Sequence, residues 1–411
     1  MTLLVSNRSY RFLFSATAVS NLGDGVSALA FPWLATLITR DPVLIAMVTA
    51  AVRLPWLLFS IPAGVLVDRR DRRRLMIQAD SFRLLLTLGA IALILTIPDF
   101  PPGGSGAPHM LALSGLAFLL GAAEVVRDNA AQTVLPSIVE PRDLESANGQ
   151  MWSVEQVMGS FVGPPLAGIL IALAVPAPFA LDAVTFGIAA WFVWCISMPP
   201  RAPAVGRRIG HEIAEGWAWL RGATTLLRLA VMLGLMNAIA TMAATVLVLM
   251  AQEVLGLDAA GYGLLLTAGA AGGVTGGLLG PRLVARLGGE RSLWLALMLM
   301  PLPFLALALT ASPIVAGAAL FLEMVAALVW NIVTVSYRQR TIPDVLLGRV
   351  NALYRFFGWG MMPLGALAGG GVVALAEPDL GREMALRLPY LLAAAGAVAM
   401  AVYGRARLRL R

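Results

Sequence analysis

Lysine is missing from this chain, and every one of its 30 basic residues is arginine. That bias reflects genomic base composition more simply than any demand for guanidinium. Charge of either sign is scarce, at 13% of residues, against roughly a quarter in soluble domains. An ordinary water-soluble core is thereby excluded. A single cysteine, Cys195, rules out an intrachain disulfide. With two histidines and one cysteine, no cluster has metal-ligand or catalytic spacing, and no phosphate-cradling Gly-x-x-x-x-Gly-Lys is present. No cofactor, metal or enzymatic role is expected, and an ATP-driven pump would need a separate subunit.

Hydrophobic residues make up 59% of the 411, and mean hydropathy is +0.81. This composition describes a multi-pass membrane protein in a lipid bilayer. Apolar runs fall at about 10–38, 43–67, 74–97, 109–128, 147–174, 177–197, 225–250, 259–285, 291–311, 313–335, 349–376 and 386–404, each long enough to cross a bilayer. Twelve spanning helices are expected. The first run is too long for the core of a secretory leader, so no cleavable signal is expected.

Asp68 to Arg74 is seven consecutive charged residues between two apolar runs. Only a tight turn at a membrane face fits there. Short cytoplasmic loops retain arginine. With the N-terminus inside, the inner turns hold Arg69 to Arg74, Arg127, Arg142, Arg201, Arg207, Arg208, Arg221, Arg282, Arg286, Arg291, Arg338, Arg340 and Arg349. The N-terminal Arg8 and Arg11 and the tail Arg405 to Arg411 belong with them. The opposite face keeps Arg40, Arg382 and Arg387. Both termini are therefore expected in the cytoplasm, in a bacterial cytoplasmic (inner) membrane. The net charge of +7 reads as topology, not as nucleic-acid binding.

The chain divides into 1–197, a cytoplasmic linker at 198–224, and 225–411. Trp217 and Trp219, with flanking charge, suggest a short helix at the membrane surface; a plain tether is the simpler alternative. The halves echo each other. Leu135-Pro136 leading to Asn148-Gly149 parallels Ile342-Pro343 leading to Asn351-Ala352, and Gly163-Pro-Pro-Leu-Ala-Gly168 parallels Pro363-Leu-Gly-Ala-Leu-Ala-Gly369. Six-helix halves repeated about an axis normal to the membrane are a transporter architecture.

The segment Gly64-x-Leu66-Val67-Asp68-Arg69-x-Asp71-Arg72-Arg73 resembles a loop pattern of the major facilitator superfamily, Gly-x-Leu-Ala/Ser-Asp-Arg-x-Gly-Arg/Lys-Arg/Lys. Val67 and Asp71 depart from it. The resemblance implies an all-α integral membrane protein of twelve helices in two pseudo-symmetric bundles. It also implies a cytoplasmic latch of Gly64, Asp68, Arg69, Arg72 and Arg73, with Asp68 facing the helix start near Gly348. The equivalent loop of the second half, Gly280 to Gly288, has Ala285 near the expected aspartate, so the carboxylate latch is one-sided. Span 5 carries Gly159-x-x-x-Gly163-Pro164-x-x-x-Gly168, which is similar to the superfamily's antiporter motif. Small residues permit close helix approach, and the proline bends the helix. Span 8 offers Gly269, Gly273, Gly276 and Gly280 as a partner strip. Ordinary helix packing is the alternative.

Ionisable residues inside spans are functional candidates by default. Asp24 leads, then Glu155, then Glu323, as proton-coupling or substrate groups, with Arg53 the expected partner of Asp24. Gly23-Asp24-Gly25 followed by Ala30-Phe31-Pro32-Trp33-Leu34 resembles macrolide-type and siderophore-type exporters. A buried structural pair is the alternative for each. Asp80, Arg83, Glu124, Arg127 and Asp128 are expected near the cytoplasmic ends of spans 3 and 4, networked with the arginine loop, and Asp182 reads as structural. Asn237, Trp330, Asn331 and Phe356 are cavity candidates. The function implied is a monomeric secondary exporter of amphipathic small molecules by proton antiport. A siderophore or lysophospholipid transporter is the alternative, and a membrane-embedded enzyme the remote one.

Overall fold

The computed structural model of the protein describes residues 3–102, 106–198 and 209–408, and among these only helices, turns and irregular connections occur. A bilayer has no water to satisfy free backbone groups, so each crossing segment closes its hydrogen bonds internally as helix. The helices are α1 (Arg8–Ile38), α2 (Pro42–Arg69), α3 (Arg72–Leu95), α4 (Ala107–Ile138), α5 (Ser146–Leu173), α6 (Ala177–Trp194), α7 (Ile209–Gly222), α8 (Thr224–Glu253), α9 (Ala259–Leu287), α10 (Gly289–Leu309), α11 (Pro313–Thr341), α12 (Arg349–Leu380) and α13 (Arg382–Arg407).

Among the described residues, eleven of these helices are long and apolar enough to cross a membrane. The remaining long one, α1, has 31 residues, ample for a bilayer. Its centre is diluted by Ser20, Asn21, Gly23, Asp24, Gly25 and Ser27. With α1 counted, twelve spans are present, and the protein is a multi-pass integral membrane protein.

Helix starts follow their caps. Asn7 accepts from the Tyr10 N–H at 2.9 Å. Asp71 accepts from the Arg74 N–H at 2.8 Å, so the aspartate that departs from the loop pattern caps α3. Asp41 caps α2 through the Val43 N–H at 2.8 Å. Asp258 caps α9 through the Gly261 N–H at 2.7 Å.

The chain forms two compact units. Unit 1 comprises Met1–Arg40, Ala51–Gly206 and Asp258–Leu264; unit 2 comprises Asp41–Ala50, Arg207–Leu257 and Leu265–Arg411. Residues 199–208 of the expected linker lie outside the described residues. The remainder forms α7, which packs on α12 inside unit 2: Arg349 donates to Glu215 at 2.8 Å, and Trp217 stacks on Phe357 with ring centroids 6.3 Å apart.

The internal echo has a structural counterpart. In unit 1, a Cβ at Gly163 would come within 2.6 Å of the Gly25 backbone, and one at Gly168 would strike Ala259. In unit 2, a Cβ at Gly365 would strike Ala238, and one at Gly370 would lie 2.6 Å from the Ala46 side chain and against the Pro42 carbonyl. Five residues separate the glycines in each pair. Each long Gly-rich helix thus presses one glycine on the first helix of its own half and a second glycine on an Asp-capped helix start.

Candidate functional site

The polar centre of unit 1 is built where α1, α3 and α6 pack together. Gly23 is the midpoint of α1, and a Cβ there would collide with the Asp182 carboxylate and the Thr185 hydroxyl. This glycine therefore lets α6 approach and places Asp24 beside it. Asp24 is bound by the Arg83 guanidinium. Arg83 also donates to Ser20 Oγ at 3.2 Å, and its guanidinium lies 3.9 Å from the centroid of the Phe186 ring, a cation–π contact. On the far side Asp182, fully buried, accepts from Ser27 Oγ at 2.6 Å and Thr87 Oγ1 at 3.5 Å.

A second layer lies behind the first. Asp80, fully buried, sits 3.8 Å from Arg83 Nη1 and 3.6 Å from Arg127 Nε. Arg127 reaches Asp128 at 3.5 Å and donates to the Ala16 carbonyl at 3.4 Å. Side-chain exposure separates the signs. Arg83 is 3% and Arg127 2% exposed, whereas Asp24 is 28% and Asp128 35%. The carboxylates that can be reached stand in front of guanidiniums that cannot. Glu124 lies within the field of Asp24, Asp128, Arg83 and Arg53, and Glu155, half-buried, within that of Asp128 and Arg127.

Two expectations are corrected here. The partner of Asp24 is Arg83, not Arg53. Asp80, Arg83 and Arg127 form a mid-span cluster with Asp24, not a network with the arginine loop. The reason is helix geometry. α3 begins at Arg72, so Asp80 and Arg83 stand about 12 and 16 Å along the helix axis, far from the rim. Arg83 is at the midpoint of that 24-residue helix. The spacing Asp80, Arg83, Thr87 puts all three on one helical face, a signal visible in the sequence. Nothing comparable announced Ser20, Ser27 or Phe186.

In α5, the consecutive prolines 164 and 165 lack N–H donors. The chain answers with a π turn over Val157–Val162 just upstream. The partner of its glycine strip is α1: Gly163 meets Gly25, while a Cβ at Gly159 would clear Asn21 at 3.5 Å. The expected partnership with the strip on α9 does not form. Gly272, Gly276 and Gly280 instead meet Phe321, Val325 and Ile332 of α11. Close approach is legible in a glycine strip; the identity of the neighbour is not. The start of α9 does reach α5, where Gly263 would bring a Cβ to 2.7 Å from the Pro164 carbonyl.

In unit 2, Asn237 donates to the Gly358 carbonyl at 2.8 Å, joining α8 to α12. Trp330 is buried with its Nε1 unpartnered. Asn331 is exposed, as is Phe356, which meets Phe357 edge-on with centroids 6.0 Å apart. Glu323 is half-buried in α11, and among the described residues it enters no ion pair.

In the arginine loop, Arg72 is buried and donates to the Thr133 carbonyl at 2.6 Å, and Arg73 donates to the Trp194 carbonyl. Both tie α3 to neighbours within unit 1. Arg69 is exposed, and Gly64 has open space where a Cβ would stand. The side-chain surroundings of Asp68 and of Gly348 lie outside the described set.

Comparison with known proteins follows the same lines. A family model described as "Transmembrane secretion effector" matches residues 4–410. The multidrug efflux pump Tap of Mycobacterium tuberculosis is 33% identical over 178 residues, 41% of this chain and 39% of that one. Macrolide efflux protein A of Streptococcus pyogenes is 26% identical over 213 residues, 51% of this chain and 50% of that one. The chain thus aligns with half or less of the length of these relatives. Among solved structures, a variant of the nucleoside transporter NupG superposes with a TM-score of 0.78 at 11% identity, covering 98% of this chain and 100% of that one. At that identity the likeness speaks for the fold alone.

Proposed function

We propose an export function from one premise: this chain belongs to the transmembrane secretion effector family, a family of major facilitator transporters and not of enzymes. The reading is a secondary active exporter of amphipathic, cationic small molecules, driven by proton antiport through alternating access. Its place is a bacterial cytoplasmic membrane, with both termini on the inner face, as the arginine distribution argues. The efflux pumps among its relatives support this reading.

One observation carries it. Asp24, partly exposed at mid-span, is held by the buried Arg83. A partly exposed carboxylate can take a proton. Protonation removes its charge and releases Arg83 towards Asp80, 3.8 Å away. The guanidinium then has a carboxylate partner in either protonation state, so neither state leaves an uncompensated buried charge. Asp24 and Asp128 in front of shielded arginines also make an accessible surface that favours cations over anions. This weighs against a siderophore or another anionic substrate.

The test is ethidium transport by purified protein in proteoliposomes under an imposed pH gradient. Ethidium movement against the proton gradient supports the reading. Movement indifferent to the gradient refutes the coupling.

A further inference from the structure

Outside the charged centre of unit 1, unit 2 holds an open cavity of about 660 Å³ where α9 ends, α10 begins and α13 ends. Its lining includes Arg291, Arg405, Trp294 and Glu290. The Arg405 guanidinium lies 5.5 Å from the Trp294 ring centroid. Among the described residues, neither Arg291 nor Arg405 is in an ion pair, and both are exposed. Two guanidiniums and one carboxylate leave the mouth net positive. The start of α10 adds backbone N–H groups without intrahelical partners.

Below this mouth both helices turn apolar towards the lipid. On α10, Arg291, Trp294, Leu295 and Met298 follow the spacing of one helical face, and Leu295 and Met298 are exposed. On α13, Arg405, Val402 and Val398 do the same, and both valines are exposed. The two helices pack closely, and a Cβ at Gly404 would reach within 2.9 Å of Leu297. The two faces thus run side by side, each reading guanidinium at the rim and apolar side chains about 4 to 10 Å deeper. Tryptophan between them sits where indole rings settle at a membrane–water interface. A free anion needs only the rim. A ligand with a phosphate and acyl chains uses the whole surface, and basic pockets between spanning helices are suited to such headgroups.

We propose that the cleft between α10 and α13 is a binding site for an anionic glycerophospholipid. Arg291 and Arg405 hold its phosphate, Trp294 packs at the glycerol level, and the acyl chains lie along Leu295, Met298, Val398 and Val402. The site lies in unit 2, and lipid binding there does not depend on which substrate the protein carries.

Native mass spectrometry of the full-length protein in detergent, titrated with phosphatidylglycerol, tests this. The probes are the wild type and an Arg291→Ala/Arg405→Ala variant, with melting in lipid-free detergent as the check on folding. Because both side chains are exposed, the variant should melt as the wild type does. It should bind phosphatidylglycerol at least tenfold more weakly. Equal phosphatidylglycerol binding by wild type and variant overturns the site. Undiminished wild-type lipid binding in saturating inorganic phosphate supports a lipid. Displacement of the lipid by inorganic phosphate at equal concentration overturns that assignment in favour of a free anion. Equally tight phosphatidylethanolamine binding overturns the selectivity for anionic headgroups.

Discussion

Asp24 and Arg83 meet at the midpoints of two different helices, with the arginine buried and the aspartate partly exposed. Arg83→Gln leaves buried carboxylates without their guanidinium, and breaking a buried pair costs about 3–5 kcal/mol. After Asp24→Asn, by contrast, Asp80 remains 3.8 Å from Arg83. Asp24 is the more exposed member and Asp80 stands by as a second partner of Arg83, so Asp24→Asn should cost less than that range and Arg83→Gln should fall within it. The double variant should lose less than the sum of the singles, with a coupling of about 1–3 kcal/mol. Thermal denaturation of the four proteins in detergent measures this cycle. Additive losses would mean that the pair does not interact.

Gly163 and Gly159 share one strip but differ in clearance. A Cβ at Gly163 meets the Gly25 backbone at 2.6 Å, whereas one at Gly159 clears Asn21 at 3.5 Å. Gly163→Ala should therefore lower stability by at least about 1–3 kcal/mol, the usual cost of overpacking, because backbone cannot swing aside. Gly159→Ala should be close to neutral. Yield and melting of the two variants, compared side by side, check the contrast.

Arg72 and Arg69 look alike in the sequence but not in the structure. Arg72 is buried on the Thr133 carbonyl, and Arg69 is exposed. Arg72→Gln should cost about 1.5–3 kcal/mol, the loss of a charged hydrogen bond. Arg69→Gln should cost nearly nothing. Melting temperatures decide, and equal effects would reduce the segment to its net charge.

Asp71 stands where the superfamily pattern has glycine, and it caps α3. Asp71→Ala should cost about 1 kcal/mol, whereas Asp71→Gly should cost only a few tenths. The order of the two variants in a melting series tests the cap. If alanine is the milder change, the carboxylate has another role.

The spans were legible because a bilayer imposes length and apolarity on every crossing segment. The bends of α5 were legible in part: its prolines showed, but the π turn they produce did not. The charged centre was misread for a definite reason. Asp80 and Arg83 follow the arginine loop closely in sequence, but closeness in sequence is not closeness to the membrane face. A helix rising 1.5 Å per residue carries them to mid-span. Partner identity was the hardest part. The glycines of α5 and α9 advertise close approach but not the neighbour: Gly163 packs on α1, Gly168 on the start of α9, and Gly276 on α11. Similarly, Arg53 and Arg83 are both mid-span arginines, and the packing of both α1 and α3 on α6 brings Arg83 to Asp24.

The central claim is that Asp24 carries the coupled proton. Proteoliposomes loaded with a pH-sensitive dye report proton movement when ethidium is added. The wild type should move protons in response, and Asp24→Asn, reconstituted at equal density, should show no substrate-induced proton flux. A proton flux in Asp24→Asn equal to that of the wild type would contradict the account.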